Sequence, residues 1–245
     1  MKKWKIAVLV CLSMILVYAV GYMLLQIKEY GLARQEYSEL SQKALVPASD
    51  DNGNEADISG LQGEVTETVN EAKEIRRKVY QIDFPYLSGI NPDVVGWVLI
   101  EGTNVNYPIV KSADNKEYLK RTFEGERSSC GSIFMECTNE PDFSDKTTFI
   151  YGHNMKDGSM FHTLNDYSSE QFYKEHPTVH IFTPQSTMVC KIISAHVTAN
   201  SSTSYQIGFG TQADYEMYLD TEKKISLYDT GITPQMDKNT IVLST

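Results

Sequence analysis

Apolar residues are most concentrated near the start of the chain, where Ile6 to Leu25 (IAVLVCLSMILVYAVGYMLL) run for twenty positions without a charge. A helix rises 1.5 Å per residue, so this stretch is about 30 Å long, the thickness of a bilayer's hydrocarbon core. Lys2, Lys3 and Lys5 precede it, and Trp4, Tyr18 and Tyr22 stand near its ends. Lysines before the span predict a cytoplasmic amino terminus, with everything after Leu25 on the outer side. A cleaved signal peptide would have a shorter apolar region and a small-x-small site, for which Ala19-Val20-Gly21 is a weak match. The pattern favours an uncleaved single-pass anchor.

Residues 26–57 are polar, and the run PASDDNGNEAD at 47–57 is rich in turn formers, a composition that predicts an extracellular linker. From Ile58 the apolar residues Ile58, Leu61, Val65, Val69, Ala72, Ile75 and Val79 recur every three or four positions, as in an amphipathic helix with one buried stripe. That helix is expected over 58–82, packing on the domain that follows and giving way at Phe84-Pro85. Removal of residues 1–57 is therefore expected to leave a folded domain. Beyond Asn91 the period shortens. Runs of β type at 94–100, 105–110, 131–137, 147–151, 178–182, 188–197 and 240–243 alternate with turn residues, and helical patterns fall at 161–167, 170–173 and 212–228. Short strands at this spacing predict a mainly β domain over 83–245, an antiparallel sandwich or barrel with helical insertions.

Charge narrows the range of partners. There are 32 acidic against 22 basic residues, net −10, and the first 25 residues hold three lysines and no acid, so the body is more acidic still. Such a surface repels phosphate backbones and argues against nucleic acid. Of four cysteines, Cys11 lies in the span, and the other three, Cys130, Cys137 and Cys190, cannot make a complete disulfide framework. No CxxC or HExxH motif occurs, and His153 with His162, nine residues apart and without a carboxylate or thiol cluster, is a poor ligand set, so no metal is expected.

Among five histidines, His176 beside a proline and His180 and His196 in strand patterns read as structural. His153 follows the apolar run Thr147–Tyr151 directly, where a strand enters a glycine-bearing loop. A rigid sheet holds such a loop in place while leaving its side chains accessible, which makes His153 a candidate base.

The segments NPDVVGW (91–97), GTNVNYPIV (102–110), DNKEYL (114–119), CGSIFME (130–136) and YGHNMKDGSMF (151–161), with the closing IVLST (241–245), together resemble a class B sortase from about Asp83 onward. The resemblance implies a closed sortase β-barrel preceded by a helix and a membrane anchor, on the outer face of a Gram-positive cell. It also implies a cysteine transpeptidase with a Cys/His/Arg site and no cofactor. The thiolate would attack the sorting signal of a secreted protein, form a thioacyl enzyme and pass the chain to an amine of a peptidoglycan precursor. By this resemblance His153 is the catalytic histidine. Asn115, Leu119, Tyr205, Ser244 and Thr245 border the substrate groove, and Tyr151 and Asn154 support it. From the residues alone, Leu119 packing a helix and Asn115 capping it is an equally good account. The nucleophile would directly follow Leu-Ser-Thr, at residue 246, with the arginine on a later strand. Residues 1–245 then hold one of three catalytic groups and are expected to be inactive by themselves. Ile241-Val242-Leu243 is an apolar strand without a polar tail, which predicts a further strand beyond it. Cys130, Cys137 and Cys190 match no nucleophile position. The alternative is a non-catalytic peptide-binding module on a membrane stalk.

Overall fold

The computed structural model describes residues 3–47, 80–199 and 202–245. Helix α1 (Lys3–Ala44) is unbroken for 42 residues, about 63 Å. In its first half Leu12, Ile15, Leu16, Val17 and Leu25 are exposed, so the helix is long and apolar enough to cross a membrane. Its second half corrects the linker expected from residue 26. The chain stays helical to Ala44 because Ala33, Tyr37, Leu40 and Ala44 form one stripe buried in the domain core, while the polar residues between them face water. Tyr37 anchors the packing. Its hydroxyl donates to the Gly131 carbonyl at 2.8 Å and lies 3.1 Å from Ser132 Oγ, and its ring meets Tyr107 edge-on at 5.3 Å. Glu36 and Glu29 accept from the backbone N–H groups of Glu124 and Ser129.

The helix expected over 58–82 lies outside the described residues as far as residue 79. Its last three positions, Tyr80–Ile82, are instead strand β2, antiparallel to β1 (Leu45–Pro47). The break expected at Phe84-Pro85 is in fact a start. Asp83 accepts from the Tyr86 N–H at 2.9 Å and caps helix α2 (Phe84–Ile90), and proline in a first turn forfeits no intrahelical hydrogen bond.

Seven strands form one sheet: β3 (Val94–Leu99), β4 (Asn106–Val110), β5 (Ile133–Met135), β6 (Thr147–Tyr151), β7 (Thr178–Phe182), β8 (Thr187–Lys191) and β9 (Thr240–Ser244), in the order β8-β7-β3-β4-β5-β6-β9. It curls into a nearly closed barrel with β8 and β9 at its edges. Two pairs, β4–β5 and β6–β9, are parallel, which corrects the all-antiparallel expectation. Parallel neighbours need long crossover connections, and the chain supplies them between Val110 and Ile133 and between Tyr151 and Thr240. Trp97, Ile109, Phe123, Ile133, Ile150 and Phe161 are almost fully buried. Helix α3 (Glu170–Glu175) is short. Helix α4 (Gln212–Lys224) starts at a capping box between Thr211 and Asp214 and buries Tyr215, Tyr218 and Leu219 against Ile193 and Phe209. The strand expected over 188–197 stops at Lys191, since the following residues pack beneath α4, where Leu227 N–H donates to the Ala195 carbonyl at 2.8 Å.

Candidate active site

The parallel pair β6–β9 ends in a cavity of about 310 Å³ lined by Asn115, Leu119, Phe134, Tyr151, Gly152, His153, Ser244 and Thr245. In register, Tyr151 faces Ser244 and the Gly152 N–H donates to the Ser244 carbonyl at 3.0 Å, so the end of β9 lies beside the residue that precedes His153. The loop after His153 folds back on itself. Phe161 N–H donates to the His153 carbonyl at 3.0 Å, Asn154 bridges to Met160, and Met160 N–H donates to Tyr107 Oη at 3.0 Å.

Gly152 is required by packing. A Cβ there would run into Ile133 Cδ1 and come within 2.7 Å of the Phe161 ring. Gly152→Ala is accordingly expected to cost about 1–3 kcal/mol and to displace the adjacent imidazole, measured by urea unfolding and by the pH titration of His153 in NMR spectra.

His153 Nε2 lies 2.8 Å from the Leu119 carbonyl oxygen. A carbonyl only accepts, so Nε2 carries a proton and, in the neutral ring, Nδ1 holds the lone pair. Leu119, one-third exposed, thus serves through its backbone as well as walling the cavity with its side chain. Tyr205 lies outside the cavity wall, but its hydroxyl is 2.8 Å from Ser244 Oγ and its ring stacks on Phe149 at 5.7 Å. Asn154 is exposed and turned away, bonded to Asn165 and His162. The fold therefore brings His153, Asn115, Leu119, Tyr151, Ser244 and Thr245 together, sets Tyr205 behind Ser244 and leaves Asn154 apart.

No cysteine among the described residues lines this cavity. Burial pushes the Cys190 thiol up to about 11, and burial likewise raises that of Cys130. Cys137 is raised chiefly by the hydrogen bond its thiol donates to Glu136 at 3.3 Å. All three favour the protonated thiol over the nucleophilic thiolate.

One residue the sequence pattern did not single out stands at the back of the site. Glu136, 9% exposed, follows β5 and accepts from Asn115 Nδ2 at 2.7 Å and from Tyr151 Oη at 3.0 Å. Burial alone would raise its carboxyl, but hydrogen bonds from Asn115, Cys137, Tyr151 and Thr138 outweigh that and hold it below the usual range. Burial, with the Glu136 carboxylate next to it, in turn keeps the Tyr151 phenol well above its ordinary value. A single acid closing the apolar run Ile133-Phe134-Met135 was the available signal.

A nearly closed mixed barrel with a histidine at the mouth of a parallel strand pair defines a recognisable class. The family model of the sortase domain matches residues 98–245. Sortase B of Listeria monocytogenes serovar 1/2a (strain ATCC BAA-679 / EGD-e) is 36% identical over 159 residues, 65% of this chain and 65% of the relative. Sortase B of Staphylococcus aureus (strain NCTC 8325 / PS 47) is 32% identical over 162 residues, 66% of each. Among solved structures, the Staphylococcus aureus sortase B–substrate complex superposes with a TM-score of 0.70 at 26% identity, covering 89% of this chain and 90% of that one. The chain belongs to the sortase family, in its class B. It aligns with just under two thirds of the length of these two curated relatives.

Proposed function

We propose that this protein is a membrane-anchored class B sortase that cleaves the sorting signal near the carboxyl end of secreted proteins and joins them to an amine of a peptidoglycan precursor. One observation carries this reading: His153 shares a cavity with Ser244 and Thr245 at the end of β9, the strand that runs parallel to β6 and is in register with it up to Tyr151 and Ser244. On this reading the nucleophile is the cysteine that the class B resemblance puts directly after the Leu-Ser-Thr segment.

The steps follow from the chemistry of the two groups. The thiolate attacks the scissile carbonyl carbon, the C–N bond breaks, and the imidazolium of His153 protonates the departing amine. A thioester remains. The acceptor amine then attacks the thioester carbonyl, His153 takes the proton it loses, and the thiolate leaves as a new amide forms. The Leu119 carbonyl fills the role a third catalytic residue plays elsewhere, holding the imidazole by Nε2. The class B resemblance assigns stabilisation of the oxyanion to an arginine, which is not among the residues lining this cavity. Asn115, Leu119, Tyr205, Ser244 and Thr245 border the peptide groove. Residues 6–25 span the membrane, with the amino terminus cytoplasmic and the barrel outside.

The test is to incubate the full-length protein with a fluorogenic peptide library of sorting signals and an oligoglycine or diaminopimelate-type amine. Cleavage, a covalent thioester adduct seen by mass spectrometry and amine-dependent product are expected. Binding of peptide without cleavage or adduct overturns the proposal in favour of a peptide-docking module.

A further inference from the structure

Glu136 is a buried carboxylate that the reaction above does not use. Its two oxygens are surrounded by donors. Asn115 Nδ2 and Tyr151 Oη bond to Oε2 at 2.7 and 3.0 Å, while Cys137 Sγ, Thr138 Oγ1 and Thr138 N lie 3.3, 3.3 and 3.4 Å from Oε1. Among the described residues its charge is met by these donors and not by an ion pair. Only an acceptor-only group satisfies so many donors, since an amide would turn its NH₂ toward either the Asn115 NH₂ or the Thr138 N–H.

Two arms lead from this carboxylate to one imidazole. In the first, Asn115 is clipped at both ends of its amide, Nδ2 to Glu136 and Oδ1 to the Cys137 N–H at 2.8 Å. That fixes the start of the segment whose single helical turn, Glu117–Leu119, delivers the Leu119 carbonyl to His153 Nε2. In the second, the Tyr151 hydroxyl ties the end of β6, two residues before His153, to the same carboxylate. Asn115 and Tyr151 are 21 and 15 residues from Glu136 in sequence, and the contacts within Glu136-Cys137 hold both.

We infer that Glu136 is a positioning residue that, acting through Asn115 and Tyr151, holds the Leu119 carbonyl against His153 Nε2, so that the reacting proton is carried on Nδ1. The carboxylate never touches substrate. Because its hydrogen bonds hold Glu136 below the ordinary glutamate range, its contribution to stability is fully present above the unfolded value of about 4.3 and is lost as pH falls through the lower folded value.

The kinetic arm of the test rests on the transpeptidase reading, and the spectroscopic arms do not. In the full-length protein, the ¹⁵N shifts of the His153 ring are expected to report the Nε2–H tautomer. Glu136→Gln is expected to mix the tautomers and to lower kcat for peptide cleavage about 100-fold, with a smaller change in KM. Tyr167→Phe, which loses a comparable buried hydrogen bond to the His176 carbonyl far from the cavity, should leave both unchanged. A folded Glu136→Gln protein with wild-type His153 shifts overturns the inference. If that variant does not fold, the double variant Asn115→Ala with Tyr151→Phe, which removes both arms and keeps the carboxylate, decides: mixed His153 tautomers support the inference, and wild-type ring shifts overturn it. A wild-type protein that cleaves no peptide defeats the proposed function while the ring spectra still report on Glu136.

Discussion

His153→Ala is expected to reduce cleavage of a sorting-signal peptide by about a thousandfold while moving the urea midpoint very little. Both halves of that result come from where the ring sits. It is half-buried at the mouth of the cavity, outside the hydrophobic core, and a single hydrogen bond from Nε2 to the Leu119 carbonyl holds it. Truncation therefore opens no core cavity and frees one carbonyl that water can reach. The chemistry loses far more. On the proposed mechanism, alanine has no proton to give the departing amine and no charge to stabilise a thiolate. Turnover retained within tenfold, in a protein with unchanged unfolding, would remove His153 from the reaction.

The second large effect concerns stability. A protein lacking residues 1–25 is expected to remain folded and become soluble, whereas one lacking residues 1–47 is expected to be severely destabilised. This corrects the expectation that residues 1–57 can be removed, because Ala33, Tyr37, Leu40 and Ala44 belong to the core. Leu40 is 1% exposed and Ala44 fully buried, and Leu40→Ala alone should cost about 2–5 kcal/mol. Losing the whole second half of α1 also uncovers Tyr107 and strips Gly131 and Ser132 of the Tyr37 hydroxyl. Thermal unfolding of the two shortened proteins separates the cases. Equal midpoints would mean that α1 rests on the barrel without supporting it.

Legibility followed the range of the interactions concerned. Strands β6 and β7 could be read to the residue because five residues, nearly all β-branched or aromatic and bounded by turns, are a local signal. The second half of α1 could not. A helix with one narrow stripe of Ala, Tyr, Leu and Ala has the composition of a linker, and only the groove that receives it identifies the stripe as core. The parallel pairings were hidden for a related reason, since they depend on crossovers that bring Thr240 beside Thr147. His153 was legible from its strand-to-loop context and the family resemblance together. Glu136 was not, because its importance lies in donors 15 and 21 residues away. Leu119 was half legible. Its side chain could be assigned to the groove, but nothing in a sequence announces that a backbone carbonyl will hold an imidazole.

The continuity of α1 has a further consequence once residues 6–25 lie in a bilayer. From Leu25 to Tyr37 the helix climbs about 18 Å. Tyr37 grips Ser132, whose N–H donates to the Tyr118 carbonyl at 2.9 Å, next to the residue that holds His153. The reacting groups then ride at a fixed height above the lipid and cannot swing on a flexible leash. Encounters with other membrane-tethered molecules become a search in two dimensions, confined to one thin layer. A client whose cleavage point hangs above or below that layer would be passed over whatever its motif, so the length of its tether becomes a rule of selection in its own right.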